Sequence, residues 1–182
     1  SKVWNRSQEI SKKGYTVIVH GKSNHEETRS TFSRAQKHGP VIIVENTTDV
    51  KTLCQLIKNP KIKNLFERYF KKKASKKFNI NFDLQKIGVV NQTTMLASET
   101  KKIIDIFSAT YASLYGKDSV SNHIINTRDT LCYATNENQD STLHLLKKEV
   151  DLAIIVGGYN SSNTSHLTEL AEKKTKTYFI NS

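Results

Sequence analysis

Apolar and polar positions along the chain follow two alternating patterns, one typical of strands and the other of helices. Short runs rich in valine and isoleucine predict buried strands, and longer segments with helical spacing separate them. The predicted strands lie at residues 15–21, 41–46, 86–92 and 152–158, with two more in IINTRD and TYFINS. Strands that are nearly continuous apolar runs are typical of parallel sheets covered on both faces. The chain is therefore predicted to have an α/β fold with mainly parallel sheets.

The longest helical pattern follows the strand at residues 86–92. Its apolar residues recur at spacings that share one face of a helix. They are Leu96, Ile103, Phe107, Tyr111 and Leu114. Gly116 is predicted to end this helix, and another helix is predicted from about Leu131 to Glu149.

The α/β plan recurs along the chain, which indicates more than one module. Residues 1–126 are predicted to form one module, and residues 127–182 most of the next. A lysine- and asparagine-rich stretch around residues 58–83, here called the lysine-rich segment, is predicted to be an insertion in the first of them. Right-handed crossovers would place every strand-to-helix loop at the same edge of its sheet, where ligands bind in such folds.

Net charge adds a question about binding partners. Lys+Arg 28 against Asp+Glu 17 gives a formal charge of +11, and the pI is about 9.6. This balance suits nucleic acid, an anionic substrate, or simply a lysine-rich composition. Much of the charge lies at residues 58–77, where a solvated helix and loop are predicted.

The hydropathy pattern and the opening residues bear on membrane insertion and targeting. No stretch approaches the roughly 18 consecutive apolar residues of a membrane helix, so no transmembrane span is expected. The opening SKVWNRSQEI has neither an initiator Met nor the apolar region of a secretory signal. We therefore expect the chain to come from the inside of a longer protein.

Polar loops after the predicted strands carry the candidate chemistry. In HGKSNHEET, His25 lies two residues before Glu27, so an imidazole could bind phosphate or transfer a proton beside a carboxylic acid. A surface histidine and a glutamate at a helix start explain the same pattern.

In NQTT, the side chains of Gln92, Thr93 and Thr94 can either cap the next helix or bind a ligand.

The loop GGYNSSNT follows the strand at residues 152–158. Its two glycines allow close approach of the backbone, and a helix is predicted to begin at its serines. Ser161, Ser162 and Asn163 are placed where N–H groups and short hydroxyls hold phosphate or carboxylate. The loop matches neither GxGxxG nor a Walker loop, so nucleotide binding is not implied. An ordinary turn with a Ser or Asn cap is the alternative.

Cys54 and Cys132 are the only cysteines in the sequence. Their wide separation disfavours a disulfide framework and favours a reducing compartment. Cys54 has apolar helical neighbours and is predicted to be a buried small hydrophobe. Cys132, in the polar stretch DTLCYATNENQD, has no local base to activate it as a nucleophile. Its neighbours alone leave burial and metal binding open.

Four segments in order resemble the LytB/IspH family of 4-hydroxy-3-methylbut-2-enyl diphosphate reductases, from the non-mevalonate isoprenoid pathway. They are HGKSNHEET, VVNQTT, DTLCYATNENQD and VDLAIIVGGYNSSNTSHLTELAE. The resemblance covers nearly the whole chain except the lysine-rich segment, and it is nearest to the plant, cyanobacterial and apicomplexan branch. It implies three pseudo-symmetric α/β modules around a central cavity that holds an iron–sulfur cluster.

The resemblance also implies a ligand for that cluster. Cys132 matches the last of three cysteines that hold a [4Fe-4S] cluster in the family. The other two cysteines are expected to lie outside this chain, as are the first module and the C-terminal segment. The chain is then the second module and most of the third.

Further roles follow from the same resemblance. Four side chains are implied to bind the substrate's diphosphate: His25, Ser161, Ser162 and Asn163. Glu27 is implied to deliver a proton through a network that includes Thr93. The implied partners are an allylic diphosphate substrate and a ferredoxin-type electron donor, in a plastid-type organelle. Neither nucleic acid nor a membrane is an expected partner, and the resemblance does not indicate an oligomeric state.

Two alternative functions remain open on the sequence. A basic nucleic-acid-binding module would use the charge of +11 and bind with steep salt dependence, although RNP, helix-turn-helix and zinc-finger patterns are absent from the sequence. An iron-free, phosphate-binding α/β relative would keep the loops and hold no metal. Iron and sulfide analysis of the complete protein separates that alternative from the reductase.

Overall fold

The structure is a computed structural model that describes residues 2–125, 133–158 and 161–181. It confirms the predicted α/β fold with parallel sheets. The described elements in chain order are α1 (Lys2–Lys12), β1 (Thr16–His20), α2 (Glu26–Ala35), β2 (Val41–Val44), α3 (Thr47–Lys58), α4 (Lys63–Tyr69), α5 (Ile80–Asp83), β3 (Ile87–Asn91), α6 (Ala97–Tyr115), a 3-10 turn (Lys117–Ser119), α7 (Val120–His123), β4 (Ile124–Ile125), α8 (Tyr133–Leu145), β5 (Leu152–Val156), α9 (Ser162–Glu172) and β6 (Lys176–Ile180).

Contacts between Cα atoms divide the chain into two compact units. One consists of Ser1–Gln92 and Ser98–Thr130, and the other of Thr93–Ala97 and Leu131–Ser182. The predicted module boundary at residue 126 stays a prediction. Only the first two residues of the predicted strand IINTRD are described, and they form β4.

The first unit is built on a sheet of parallel strands in the order β2-β1-β3-β4. Every residue of β1, β2 and β3 is buried, as expected for a parallel sheet covered on both faces. Successive side chains of β1 enter different clusters because a strand alternates its faces. Ile18 packs with residues of α3 and α6, whereas Val17 and Val19 pack with residues of α1 and α2.

The lysine-rich segment is packed against the sheet, which the sequence did not predict. Phe66 and Phe70 are buried in the cluster that contains Ile18, and the rings of Phe66 and Phe78 stack with centroids 5.5 Å apart. Ala74 forms an antiparallel bridge with Ile42, so the segment also covers the edge of β2. The predicted solvated helix and loop is correct for most of the lysines and wrong for the aromatic side.

The predicted apolar face of α6 is confirmed for most of its length. Ile103, Phe107 and Tyr111 are buried, and the Tyr111 hydroxyl donates to the backbone oxygen of Leu84 at 2.5 Å. Leu114 is 40% exposed, so its inclusion in that face was wrong. It lies in the last turn of α6, two residues before Gly116, whose φ of 86° ends the helix as predicted.

The second unit contains a smaller sheet, in which β5 and β6 pair in parallel and α9 packs against both strands. One face of this sheet carries large apolar side chains that are exposed. They are Leu152, Ile154, Val156, Tyr178 and Ile180. The prediction that β5 is covered on both faces is therefore wrong within this chain. The cause is that α9 packs on only one face.

Within the ranges that the structure describes, no helix combines the length and the apolar character that a membrane crossing requires.

Replacing Phe70 tests whether the lysine-rich segment belongs to the core. Phe70→Ala removes a fully buried ring and should lower the free energy of unfolding by about 3–5 kcal/mol. The matched control is Tyr69→Ala, because Tyr69 is 46% exposed and should change stability by less than about 0.5 kcal/mol. Urea denaturation of the complete protein, followed by circular dichroism, measures both. Equal effects of the two substitutions would contradict the packing described above.

His20 makes stability depend on pH. Its side chain is 1% exposed, and its Nδ1 lies 2.9 Å from Oγ1 of Thr100. Burial lowers the pKa of His20 from 6.5 to about 4, because the charged imidazole loses its hydration. The unfolded chain then binds more protons between those two values. His20 therefore stabilises the fold fully above pH 6.5, and the contribution is lost as pH falls toward 4.

The free energy of unfolding is expected to fall by about 3 kcal/mol as pH decreases over that window. The variant His20→Asn should flatten this pH dependence. His38→Asn is the control, since His38 is exposed. Wild-type and His20→Asn curves that run parallel between pH 6.5 and 4 would show that His20 is not the responsible group.

Candidate functional site

The loops after β1, β2 and β3 lie at the carboxyl edge of the four-stranded sheet, as predicted for parallel strands. Gln92, directly after β3, is 2% exposed. Its Oε1 accepts hydrogen bonds from the backbone N of Lys22 at 3.2 Å and from Oγ1 of Thr28 at 3.1 Å. One buried amide thus holds both sides of the β1–α2 loop, residues 21–25.

The β1–α2 loop approaches Gln92 closely because it begins with a glycine. A Cβ atom added at Gly21 would lie 2.9 Å from Cβ of Gln92, closer than real Cβ atoms approach one another. The backbone N of Gly21 donates to the oxygen of Val44 at 3.1 Å, which ties the loop to β2 as well. A side chain at position 21 would push the loop away from the sheet.

His25 is the N-cap of α2. Its Nδ1 accepts a hydrogen bond from the backbone N of Glu27 at 3.2 Å, and its backbone oxygen accepts from the N of Arg29 at 3.0 Å. Because Nδ1 is an acceptor, the proton of the neutral ring is on Nε2, and that atom is the ring's donor. The cap was not predicted, since Ser, Thr, Asp and Asn are the usual caps.

Glu27 lies in the first turn of α2 and is half-buried, while the adjacent Glu26 is exposed. The structure therefore brings His25 and Glu27 together at one helix start, as the motif predicted. Thr93 is half-buried in the connection that follows Gln92.

The start of α9 carries the second group of predicted residues. Ser161 is the N-cap, and its Oγ accepts from the N of Thr164 at 3.3 Å. Ser162 is the first residue of the helix. The preceding turn is tight, because a Cβ atom at Gly157 would lie 2.8 Å from Cγ2 of Thr164.

Asn163, one residue further, has an unsatisfied polar atom. Its Oδ1 is buried and has no hydrogen-bond partner among the described residues. A buried amide oxygen without a partner costs free energy, so the position is suited to a ligand that supplies one. No acidic residue lies in the first turn of α9. The partial positive charge of that helix end is therefore available to an anion.

The two predictions made for the cysteines have different outcomes. Cys54 is 6% exposed within the apolar core, which confirms its prediction as a buried small hydrophobe, and burial raises the pKa of its thiol. Cys132 lies outside the described residues, so its predicted role as a metal ligand is untested. Among residues 2–125, 133–158 and 161–181, no group of three His, Cys, Asp or Glu could hold a metal ion. The described residues alone do not form a site for an iron–sulfur cluster.

Two charged groups at the carboxyl edge were missed by the sequence analysis. Oε1 of Glu45 accepts from the backbone N of Ser23 at 2.7 Å, and Oε2 accepts from Nζ of Lys73 at 3.0 Å. Burial raises the pKa of Glu45, but hydrogen bonds from Ser23 and Lys73 and the charge of Lys73 outweigh it and hold the value at about 2. A carboxylate directly after the strand VIIV was a usable signal. Nothing in the sequence distinguishes Lys73 from its neighbouring lysines.

Comparison with known proteins adds an independent finding. The family described as LytB protein matches residues 1–182. A 4-hydroxy-3-methylbut-2-enyl diphosphate reductase from Crocosphaera subtropica is 42% identical over 183 residues, which cover 100% of this chain and 44% of that protein. A protein of the same name from Gloeothece citriformis is 43% identical over 171 residues, which cover 94% of this chain and 42% of that protein.

A solved structure is similar as well. The E-1-hydroxy-2-methyl-but-2-enyl-4-diphosphate reductase from Plasmodium falciparum superposes with a TM-score of 0.68 at 25% identity, covering 100% of this chain and 45% of that one. The chain thus spans less than half the length of the curated relatives it matches.

Substitution of His25 tests the helix cap. His25→Ala should lower the free energy of unfolding by about 1 kcal/mol, whereas His25→Asn should preserve most of it, because Asn is itself a strong N-cap. The neighbouring exposed Asn24 provides a control, and Asn24→Ala should have little effect. Chemical denaturation of the complete protein measures all three variants. If Ala and Asn at position 25 were equally destabilising, the imidazole would not be acting as a cap.

Proposed function

The chain belongs to the LytB family, and on that premise we propose that the complete protein is a 4-hydroxy-3-methylbut-2-enyl diphosphate reductase. It converts (E)-4-hydroxy-3-methylbut-2-enyl diphosphate to isopentenyl diphosphate and dimethylallyl diphosphate in non-mevalonate isoprenoid biosynthesis. The observation that carries the proposal is the identity of 42% to a reductase of that name along the whole of this chain.

The start of α9 is proposed to bind the diphosphate through Ser161, Ser162 and Asn163. Backbone N–H groups and the helix dipole favour an anion there, and the first turn has no carboxylate to repel it. Asn163 supports the proposal because one atom of its buried amide has no partner among the described residues. Rotation of the amide by half a turn exchanges its oxygen and nitrogen, so the side chain can present either an acceptor or donors to the substrate.

His25 is proposed to bind the diphosphate as a neutral imidazole. Its Nδ1 is used by the helix cap, so Nε2–H is the atom that donates to a phosphate oxygen. The cap fixes the ring at the start of α2, which lowers the entropy lost when it binds the substrate.

Glu27 is proposed to supply the proton, with Thr93 in the same hydrogen-bond network. Overall, two electrons and two protons are consumed, the bond between carbon and the hydroxyl oxygen breaks, and that oxygen leaves as water. One proton goes to the leaving oxygen and the other to an allylic carbon. Glu27 is suited to this role because its backbone is fixed by the His25 cap and its side chain is half-buried.

The proposal includes a [4Fe-4S] cluster with Cys132 as one ligand, and its other cysteine ligands come from parts of the complete protein outside this chain. When bound, such a cluster supplies electrons one at a time. Cys54 is not proposed as a ligand, because it lies within the apolar core.

A ferredoxin-type donor and a plastid-type organelle complete the proposal. The net charge of +11 favours association with an acidic electron donor. The similarity to cyanobacterial reductases and to the Plasmodium falciparum structure supports the organelle.

The cluster is tested with the two cysteines of this chain. Complete protein purified without oxygen should contain iron and sulfide, and Cys132→Ser should lose most of both. Cys54→Ala is the matched control and should keep them, since Cys54 is buried in the core. Iron and sulfide analysis with electron paramagnetic resonance of the reduced protein gives the answer. An intact cluster in Cys132→Ser would refute the ligand, and an iron-free wild type would refute the reductase.

Glu27→Gln tests proton delivery. The variant should retain the cluster and bind substrate, but lose about 10²–10⁴-fold in kcat, because a carboxamide is too weak an acid to act as a proton donor. Glu26→Gln is the control, as Glu26 is adjacent and exposed, and it should turn over at close to the wild-type rate. The assay uses substrate with a reduced dye under anaerobic conditions. A kcat of Glu27→Gln near that of the control would remove Glu27 from the proton path.

A further inference from the structure

We propose that Lys73, in the lysine-rich segment, is a positioning residue for the β1–α2 loop that carries His25. The inference rests on the proposed function for its effect on catalysis, but the geometry behind it is independent of the reaction. In this proposal the lysine-rich segment helps to set the position of the β1–α2 loop, which carries the proposed substrate-binding residue His25.

Two side chains hold the backbone of the loop from opposite neighbours. Gln92, after β3, accepts from the N of Lys22 at 3.2 Å, and Glu45, after β2, accepts from the N of Ser23 at 2.7 Å. The sheet order β2-β1-β3 places the loop after β1 between these two acceptors. The position of the loop therefore depends on where the Glu45 carboxylate lies.

The Glu45 carboxylate is itself held by Lys73. Nζ of Lys73 donates to Oε2 of Glu45 at 3.0 Å and to Oδ2 of Asp49 at 2.8 Å. The same Oδ2 of Asp49 accepts from the backbone N of Glu45 at 3.0 Å. One ammonium thus lies between two partly buried carboxylates, whose side chains are 31% and 12% exposed. Without that ammonium the carboxylates repel each other, and Glu45 turns toward water and away from Ser23.

Lys73 is delivered to this position by a rigid backbone. Its oxygen accepts from the N of Ile43 at 2.8 Å, and the N of Ser75 donates to the oxygen of Val41 at 2.9 Å. Three residues before Lys73, Phe70 is fully buried in the core. The backbone around Lys73 is therefore hydrogen-bonded alongside β2, and the lysine side chain extends from this fixed position.

A neighbouring ion pair shows what a lysine of the same segment does without this setting. Nζ of Lys71 lies 2.6 Å from Oε2 of Glu67, but both side chains are more than half exposed, at 70% and 55%. Such surface pairs contribute little to stability or position. Lys71 is therefore a matched control for Lys73.

The test compares Lys73→Met with Lys71→Met in the complete, cluster-containing protein. Hydrogen exchange detected by mass spectrometry should be about tenfold faster or more at residues 21–25 in Lys73→Met, with β1 unchanged, because a hydrogen bond to a charged acceptor is lost. The KM for (E)-4-hydroxy-3-methylbut-2-enyl diphosphate should rise about tenfold, with a smaller change in kcat. Lys71→Met should match the wild type in both measurements.

A second variant separates the ammonium from the loss of packing. In Glu45→Gln, Oε1 can still accept from Ser23, and of the two carboxylates that Lys73 contacts only that of Asp49 remains, so the repulsion between them is removed. The double variant Glu45→Gln with Lys73→Met should therefore be less impaired in loop exchange and KM than Lys73→Met alone. The double variant can still be measured if Lys73→Met alone does not fold.

The outcomes are distinct. Loop exchange in Lys73→Met equal to that in Lys71→Met, or a double variant worse than Lys73→Met, would overturn the proposal. A wild-type protein without reductase activity would instead refute the proposed function, and the exchange measurement would still decide the role of Lys73.

Discussion

The hydrogen bonds accepted by the buried amide of Gln92 determine where the β1–α2 loop lies. They join the end of β3 to both sides of the β1–α2 loop, and they are possible only because β1 and β3 are adjacent parallel strands. Glu45, directly after β2, also accepts a hydrogen bond from this loop, from the backbone N of Ser23. The backbone N–H groups of Lys22 and Ser23 are thereby satisfied by side chains that follow the two neighbouring strands. His25 and Glu27 follow at the start of α2 because the loop before them is fixed.

The predicted site residues lie at the starts of two helices, α2 and α9. These two helix starts differ in their electrostatics. The first turn of α2 contains Glu26 and Glu27, which already use the positive end of that helix. The first turn of α9 contains no acidic residue and has a buried amide with an unsatisfied atom. By the physics of helix ends, the start of α9 is therefore the better anion site. This agrees with the role proposed for Asn163.

Much of the fold follows from local sequence patterns, because periodicity and turn residues act over a few positions. The strands, the parallel sheets, the burial of Cys54 and the grouping of His25 with Glu27 were predictable in this way. The missed features depend on partners far apart in sequence. Gln92 and Lys22 are 70 positions apart, and Lys73 and Glu45 are 28 positions apart. No local pattern indicates which of many lysines meets a given carboxylate, or that Phe66 and Phe70 pack into the core beneath a basic surface.

The complete protein is proposed to remove a hydroxyl group reductively from an allylic diphosphate. The most direct measurement is product analysis after anaerobic incubation of the complete protein with (E)-4-hydroxy-3-methylbut-2-enyl diphosphate and a reduced dye. We expect isopentenyl and dimethylallyl diphosphates, one molecule of product for each pair of electrons taken from the dye, with the diphosphate intact. Unchanged substrate, or release of phosphate without oxidation of the dye, would contradict it.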